Sequence, residues 1–233
     1  MQEVSPAALS APLPAPARGV AHARFPLRLL HRTSGLMVAL FVVVHLAGHL
    51  AGLAGAAAHQ TVLDALRVVY RQPVVEVLLL GCVAFQMGSG LVLLWRGHRQ
   101  RRGAVAWLQA VSGAYLCVFL LVHVAAVLHG RSVGIDTNLQ FAAAGMHTPP
   151  WQWFFGPYYF MAVAAIGAHV GCALYWHLPE PVRGPVLAGS LLAGLVLGAG
   201  LVVMLAGGPG PVDLVLAGGP SAMLAGVGLK GLA

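Results

Sequence analysis

Three histidines, His45, His123 and His169, stand inside long runs that carry no Asp, Glu, Lys or Arg. An ionisable side chain at membrane depth is costly and usually functional. Two of the three occupy the same place in a repeated motif. Residues 34–45 read SGLMVALFVVVH and residues 112–123 read SGAYLCVFLLVH, so SG-x5-F-x2-VH aligns without a gap. In a helix rising ~1.5 Å per residue, each His lies ~15 Å beyond its Gly. Both segments enter the membrane from the same side, which predicts His45 and His123 at equal depth near mid-membrane. Two imidazoles at one depth on facing helices can hold haem iron from both faces of the porphyrin, because His is a standard axial ligand.

A weaker match pairs QMGSGLV (86–92) with HVGCALY (169–175), setting Gln86 opposite His169. Gly35, Gly48, Gly52, Gly113, Gly167 and Gly171 would let a flat ring approach the backbone. The same small residues also serve ordinary helix packing, as at Gly48-x-x-x-Gly52 and Gly194-x-x-x-Gly198. His49, one turn beyond His45, can bond a haem edge, replace His45, or sit at the interface. His59, His98, His129 and His147 fall in loops or at helix ends, where a solvated role is expected, and His177 reads as interfacial.

The elements that must carry these residues follow from charge spacing. The chain has 233 residues, 59% apolar and 8% charged, with mean hydropathy +0.83. Such a chain treats the bilayer as its solvent. Five charge-free stretches predict spanning helices at about 33–56, 75–96, 105–128, 153–178 and 185–206. The polar stretch around Asn138, Gln140, His147 and Pro149-Pro150 reads as a loop. The expected fold is an all-α membrane protein with five transmembrane helices. The first four form a bundle with haem between them, and the fifth is peripheral. Residues 1–24 read as a disordered cytoplasmic tail, 25–206 as the membrane domain, and 207–233 as a Gly/Pro-rich tail.

Orientation follows from the basic residues. Nine of the 13 cations (Arg18, Arg24, Arg28, Arg32, Arg96, Arg99, Arg101, Arg102 and Arg183) share the side of the N-terminus. Arg67, Arg71, Arg131 and Lys230 lie on the other. This predicts a cytoplasmic N-terminus in the inner (cytoplasmic) membrane, with attraction to anionic lipid or an acidic partner. Basic residues at membrane edges argue against nucleic-acid binding. Cys82, Cys117 and Cys172 lack Cys-x-x-Cys spacing and read as small buried side chains. His31 and Arg32, at the cytoplasmic mouth of the first helix, are candidates to bind a quinone carbonyl or a haem propionate. Glu76, opening the second helix, is a candidate for quinone proton exchange or an acid that complements the helix dipole.

HRTSGLMVALFVVVHLAGH, WLQAVSGAYLCVFLLVH and GPYYFMAVAAIGAHVGCALYW together resemble a known family. They look like the membrane-anchor cytochrome b subunit of succinate:quinone oxidoreductases (succinate dehydrogenases and fumarate reductases) in its single-chain, five-helix form. The resemblance runs from about residue 25 to 206. It implies that His45 and His123 ligate the haem b farther from the catalytic subunits, and that His169 is one ligand of a nearer haem. Gln86 stands where the fourth His belongs. The second haem would then be absent, five-coordinate through His169, or held by another partner, and the expectation is one firmly bound haem. An amide–imidazole hydrogen bond between Gln86 and His169 would close an empty site. Gly167 replaces the family's carboxylate, so the transmembrane proton route is not expected. The implied partners are an iron–sulfur subunit and a flavoprotein, with membrane quinone as substrate. This chain has neither a dinucleotide glycine fingerprint nor a cysteine cluster, so it would not be catalytic alone. Two alternatives share its features: another membrane cytochrome b, such as a quinol-linked anchor, and a haem-free structural anchor.

Overall fold

A computed structural model describes residues 27–207. The expectations for residues 1–24 and for the C-terminal tail beyond Gly207 lie outside that range. The described residues contain helices and no strand: α1 (Leu27–Leu50, extended by a 3-10 turn at Ala51–Ala54), α2 (Ala56–Tyr70), α3 (Pro73–Gly97), α4 (Ala104–Ser132), α5 (Leu139–Ala143, followed by a 3-10 turn at Ala144–His147), α6 (Gln152–Tyr175) and α7 (Glu180–Ala206). Five of them, α1, α3, α4, α6 and α7, are long and apolar enough to cross a membrane. Leu36, Leu40, Val77 and Val196 on these helices point outward, as lipid-facing side chains must where no water competes for burial.

Local sequence sets the boundaries. Gly55 and Gly103 take positive φ at the entries to α2 and α4, a region that other residues avoid. Pro73 opens α3 at the first helical position, where its missing N–H costs nothing. Asn138 caps α5 by accepting the Phe141 N–H at 3.2 Å.

Neighbours run α1–α3–α4–α6–α7, and α1 also meets the end of α7. The first four spans therefore adjoin in sequence, but the tightest packing is not among them. It lies between α6 and α7. A Cβ built on Gly167 would stand 2.5 Å from the Ser190 carbonyl oxygen and 2.8 Å from Gly194 Cα. Two backbones touch there, as small-xxx-small packing allows. The fifth span is thus a core partner of the fourth rather than a loosely attached helix. The buried cluster of Leu139, Ala143, Val163, Leu201, Met204 and Leu205 joins α5, α6 and α7.

Two further departures concern the end of the molecule that carries α2 and α5. Residues 56–70 form a helix on that end instead of a loop. There Leu66 and Val62 of α2 pack over Gly48 of α1. The segment read as a loop at 138–150 folds inward as α5, with Leu139 and Ala143 fully buried.

Candidate haem site

The repeated motif acquires a physical meaning position by position. Ser34 and Gly35 of α1 receive the side chain of Gln86 from α3. Gln86 Nε2 donates to Ser34 Oγ at 2.9 Å and to the His31 carbonyl at 2.5 Å. Ser112 and Gly113 of α4 receive His169 from α6 in the same way. His169 Nδ1 lies 3.4 Å from Ser112 Oγ and 3.1 Å from the Gln109 carbonyl. A Cβ on Gly35 would meet Gln86 Nε2 at 2.8 Å, and one on Gly113 would meet His169 Cε1 at 2.8 Å. Ser-Gly is therefore a socket for the polar side chain of the following spanning helix. The pairs α1–α3 and α4–α6 are two copies of one unit.

The rest of the motif fixes the histidines. Phe41 stacks on His45 one turn later, with centroids 5.4 Å apart and planes at 19°. Phe119 stacks on His123 at 5.2 Å and 14°. Each imidazole is thus held flat against an aromatic face, and the two rings meet across α1 and α4 with centroids 6.1 Å apart and planes at 72°. Both lie in the last third of their helices, nearer the α2 end than the mid-membrane depth the sequence suggests.

Whether this pair suits haem iron can be judged from the rings themselves. Two metal–nitrogen bonds of about 2 Å, plus half an imidazole on each side, set ring centroids about 6 Å apart. The observed spacing agrees. Both rings are half-buried, and among the described residues neither is hydrogen-bonded to protein. Polar nitrogens left unpaired at that depth call for a ligand. Among the described residues no three His, Cys, Asp or Glu side chains converge to hold a bare ion. The ring spacing is the observation by which the residues fit the group.

Comparison with family models, curated proteins and solved structures finds no match to this chain.

Other expected site residues are placed differently. Gln86 does not bond His169; each is satisfied within its own helix pair. The glycines expected to admit a porphyrin are instead filled by protein: Gly35 by Gln86, Gly48 by Leu66, Gly52 by Met204, Gly113 by His169, and Gly167 and Gly171 by α7. Gly167, at the family's carboxylate position, has no room for any side chain because the α7 backbone lies against it. The three quinone candidates are not brought together. His31 Nδ1 bonds Ser89 Oγ at 2.7 Å, Arg32 is exposed, and Glu76 sits toward the α2 end with both carboxylate oxygens held by Arg131 of α4.

His59, expected in solvent, is only 1% exposed. Its Nε2 lies 3.2 Å from His49 Nδ1, and His49 stands edge-on to His45 with centroids 4.6 Å apart. Burial, then the nearby Arg67 charge, pushes the His59 pKa below its ordinary 6.5. A readable signal existed. His59, Val62, Leu66 and Tyr70 recur at helical spacing between Gly55 and the Gln72-Pro73 break.

Proposed function

We propose that this chain is the membrane anchor and haem b subunit of a succinate:quinone oxidoreductase, relaying electrons between an iron–sulfur subunit and membrane quinone. One observation carries the reading: the imidazoles of His45 and His123 stand edge-on with centroids 6.1 Å apart between the two repeated units. The family resemblance of residues 25 to 206 supplies the partners, a flavoprotein with its iron–sulfur subunit. Haem b, when bound, supplies reversible one-electron chemistry. The chain's residues do the rest. His45 and His123 would hold the group through their ring nitrogens, and Phe41 and Phe119 hold those rings in place. The apolar faces of α1 and α4 keep water from the group.

Gln86 and Gly167 depart from the family pattern, and those departures favour a second reading, another quinol-linked membrane cytochrome b. A reduced-minus-oxidised absorption spectrum of the purified chain tests what both readings share. The expected result is a b-type haem signal that His45→Ala and His123→Ala each abolish. A chain without haem would be a structural anchor. Co-purification of a flavoprotein and an iron–sulfur protein with the tagged chain separates the first reading from the second.

A further inference from the structure

The proposed function gives α2 no part, yet α2 lies along the helix that carries His45. His59, Val62, Leu66 and Tyr70 recur at helical spacing and form one face of it. In the middle of that face, Val62 and Leu66 cover Gly48. At its two ends, His59 and Tyr70 reach the residues on either side of His45. His59 Nε2 lies 3.2 Å from His49 Nδ1, so one of these nitrogens donates to the other. Tyr70 stands edge-on to Phe41, with centroids 5.8 Å apart and planes at 84°.

Phe41 and His49 are the residues one turn before and one turn after His45. Phe41 stacks on the His45 ring at 5.4 Å, and His49 meets it edge-on at 4.6 Å with planes at 88°. The His45 imidazole is therefore gripped between an aromatic face and a second imidazole, and α2 backs both. An imidazole turns easily about its last side-chain bond, and no protein hydrogen bond fixes this one. Its neighbours must set its angle. A helix that only lay on the membrane surface would have no reason to bury a histidine there, since a buried polar ring is costly without a partner. The other unit is built alike. Phe119 stacks on His123, and Tyr158 of α6 backs Phe119 with centroids 4.7 Å apart and its hydroxyl donating to the Phe119 carbonyl at 3.3 Å.

We propose that His59 and Tyr70 are positioning residues for His45, and that α2 holds the His45 and His123 rings in their crossed arrangement, with planes at 72°. The angle between two axial rings decides how they share the iron d orbitals. Parallel rings both bond the same orbital, whereas crossed rings bond one each and leave the two nearly equal in energy. Partners behind a ligand thus tune the metal without touching it. The inference rests on the proposed haem-binding role and concerns what aims one of its ligands.

The test is the low-spin ferric signal in electron paramagnetic resonance, with haem per chain measured as the pyridine haemochrome. The sample is the full chain purified from membranes with its partners. The natural protein should give the single large-g signal of crossed imidazoles. His59→Leu and Tyr70→Leu should each keep the haem while that signal loses intensity to the three-line rhombic spectrum of more nearly parallel rings. His59→Gln, which keeps a polar group within reach of His49, and Tyr70→Phe, which keeps the ring edge on Phe41, should both retain the natural spectrum. Leu66→Ala loosens α2 over Gly48 without removing either contact, so it should lower the melting temperature and leave the spectrum alone. An unchanged signal in both leucine variants overturns the positioning role. The same change in Leu66→Ala, in spectrum or in haem content, makes α2 a general support and also overturns it. A rhombic spectrum in the natural protein overturns the crossed arrangement and leaves the proposed function standing. No haem at all overturns the proposed function and this inference together.

Discussion

Phe41 and Phe119 explain why the repeat carries an aromatic residue one turn before each histidine. An imidazole on a helix facing lipid and a neighbouring helix would otherwise sample several rotamers. Stacking at 5.4 and 5.2 Å removes that freedom, and such pairs contribute about 0.5–1.5 kcal/mol beyond their buried area. Phe119→Leu should therefore keep the haem but weaken its retention by up to about tenfold. Haem transfer to an acceptor such as apomyoglobin measures this, and an unchanged release rate would count against the positioning role. His59 makes a second residue-scale prediction. Its pKa is lowered in the folded chain by burial and by Arg67, so the imidazole stays neutral where a detached α2 would let it charge. Above about 6.5 both states are neutral and docking is unaffected. As pH falls below that value the undocked state binds the proton first, and α2 docking weakens. The protection of residues 56–70 against hydrogen exchange, corrected for the intrinsic pH dependence of amide exchange, should fall from about pH 8 to about pH 5, and His59→Phe should flatten the response.

At the scale of elements, the five spanning helices were legible because charge-free stretches report lipid burial directly. The motif was legible as a repeat, yet its socket was not. Nothing in Ser-Gly names the partner, and only the packed helices show that Gln86 and His169 fill equivalent places. α2 was missed because charge spacing marks spans and ignores amphipathic helices. Its arginines turn to the segment after α4, where Arg67 bonds Asp136 and Arg71 bonds Thr137, while Val62 and Leu66 cover Gly48. The intimacy of α6 and α7 was hidden for a related reason. Glycine carries no hydropathy signal that distinguishes backbone contact from lipid exposure. Gly167→Ala tests it. The added methyl would stand 2.5 Å from a backbone oxygen that no side-chain rotation can move, so α6 and α7 must separate at a cost of about 1–3 kcal/mol. Thermal unfolding in detergent should shift down accordingly. Gly189→Ala, at a site where a Cβ meets nothing within 4 Å, should leave it unchanged.

Over the whole molecule, the two ends treat their cations differently. At the α2 end every described arginine is tied into protein. Arg67 bonds Asp136 at 2.6 Å, Arg71 bonds Thr137 at 3.0 Å, and Arg131 pairs with Glu76. These contacts clasp α2 and α3 to α4 and to the segment after it, and they leave little free positive charge on that face. The other end carries Arg28, Arg32, Arg96, Arg99, Arg101, Arg102 and Arg183. Among its described residues the only arginine–carboxylate pair is Arg183 with the exposed Glu180, and Arg101 leans over Trp107 at 5.1 Å. Basic residues resist translocation and remain on the cytoplasmic side, and this end carries more of them, so the α2 end should face outward. Single cysteines test this, since the native Cys82, Cys117 and Cys172 all lie within spanning helices. In intact cells a membrane-impermeant maleimide should label Val133→Cys, at an exposed position on the α2 end, and should reach Arg99→Cys only after permeabilisation. Labelling of Arg99→Cys alone would invert the orientation. It would place the His45–His123 pair, rather than His31 and His169, nearest the cytoplasm.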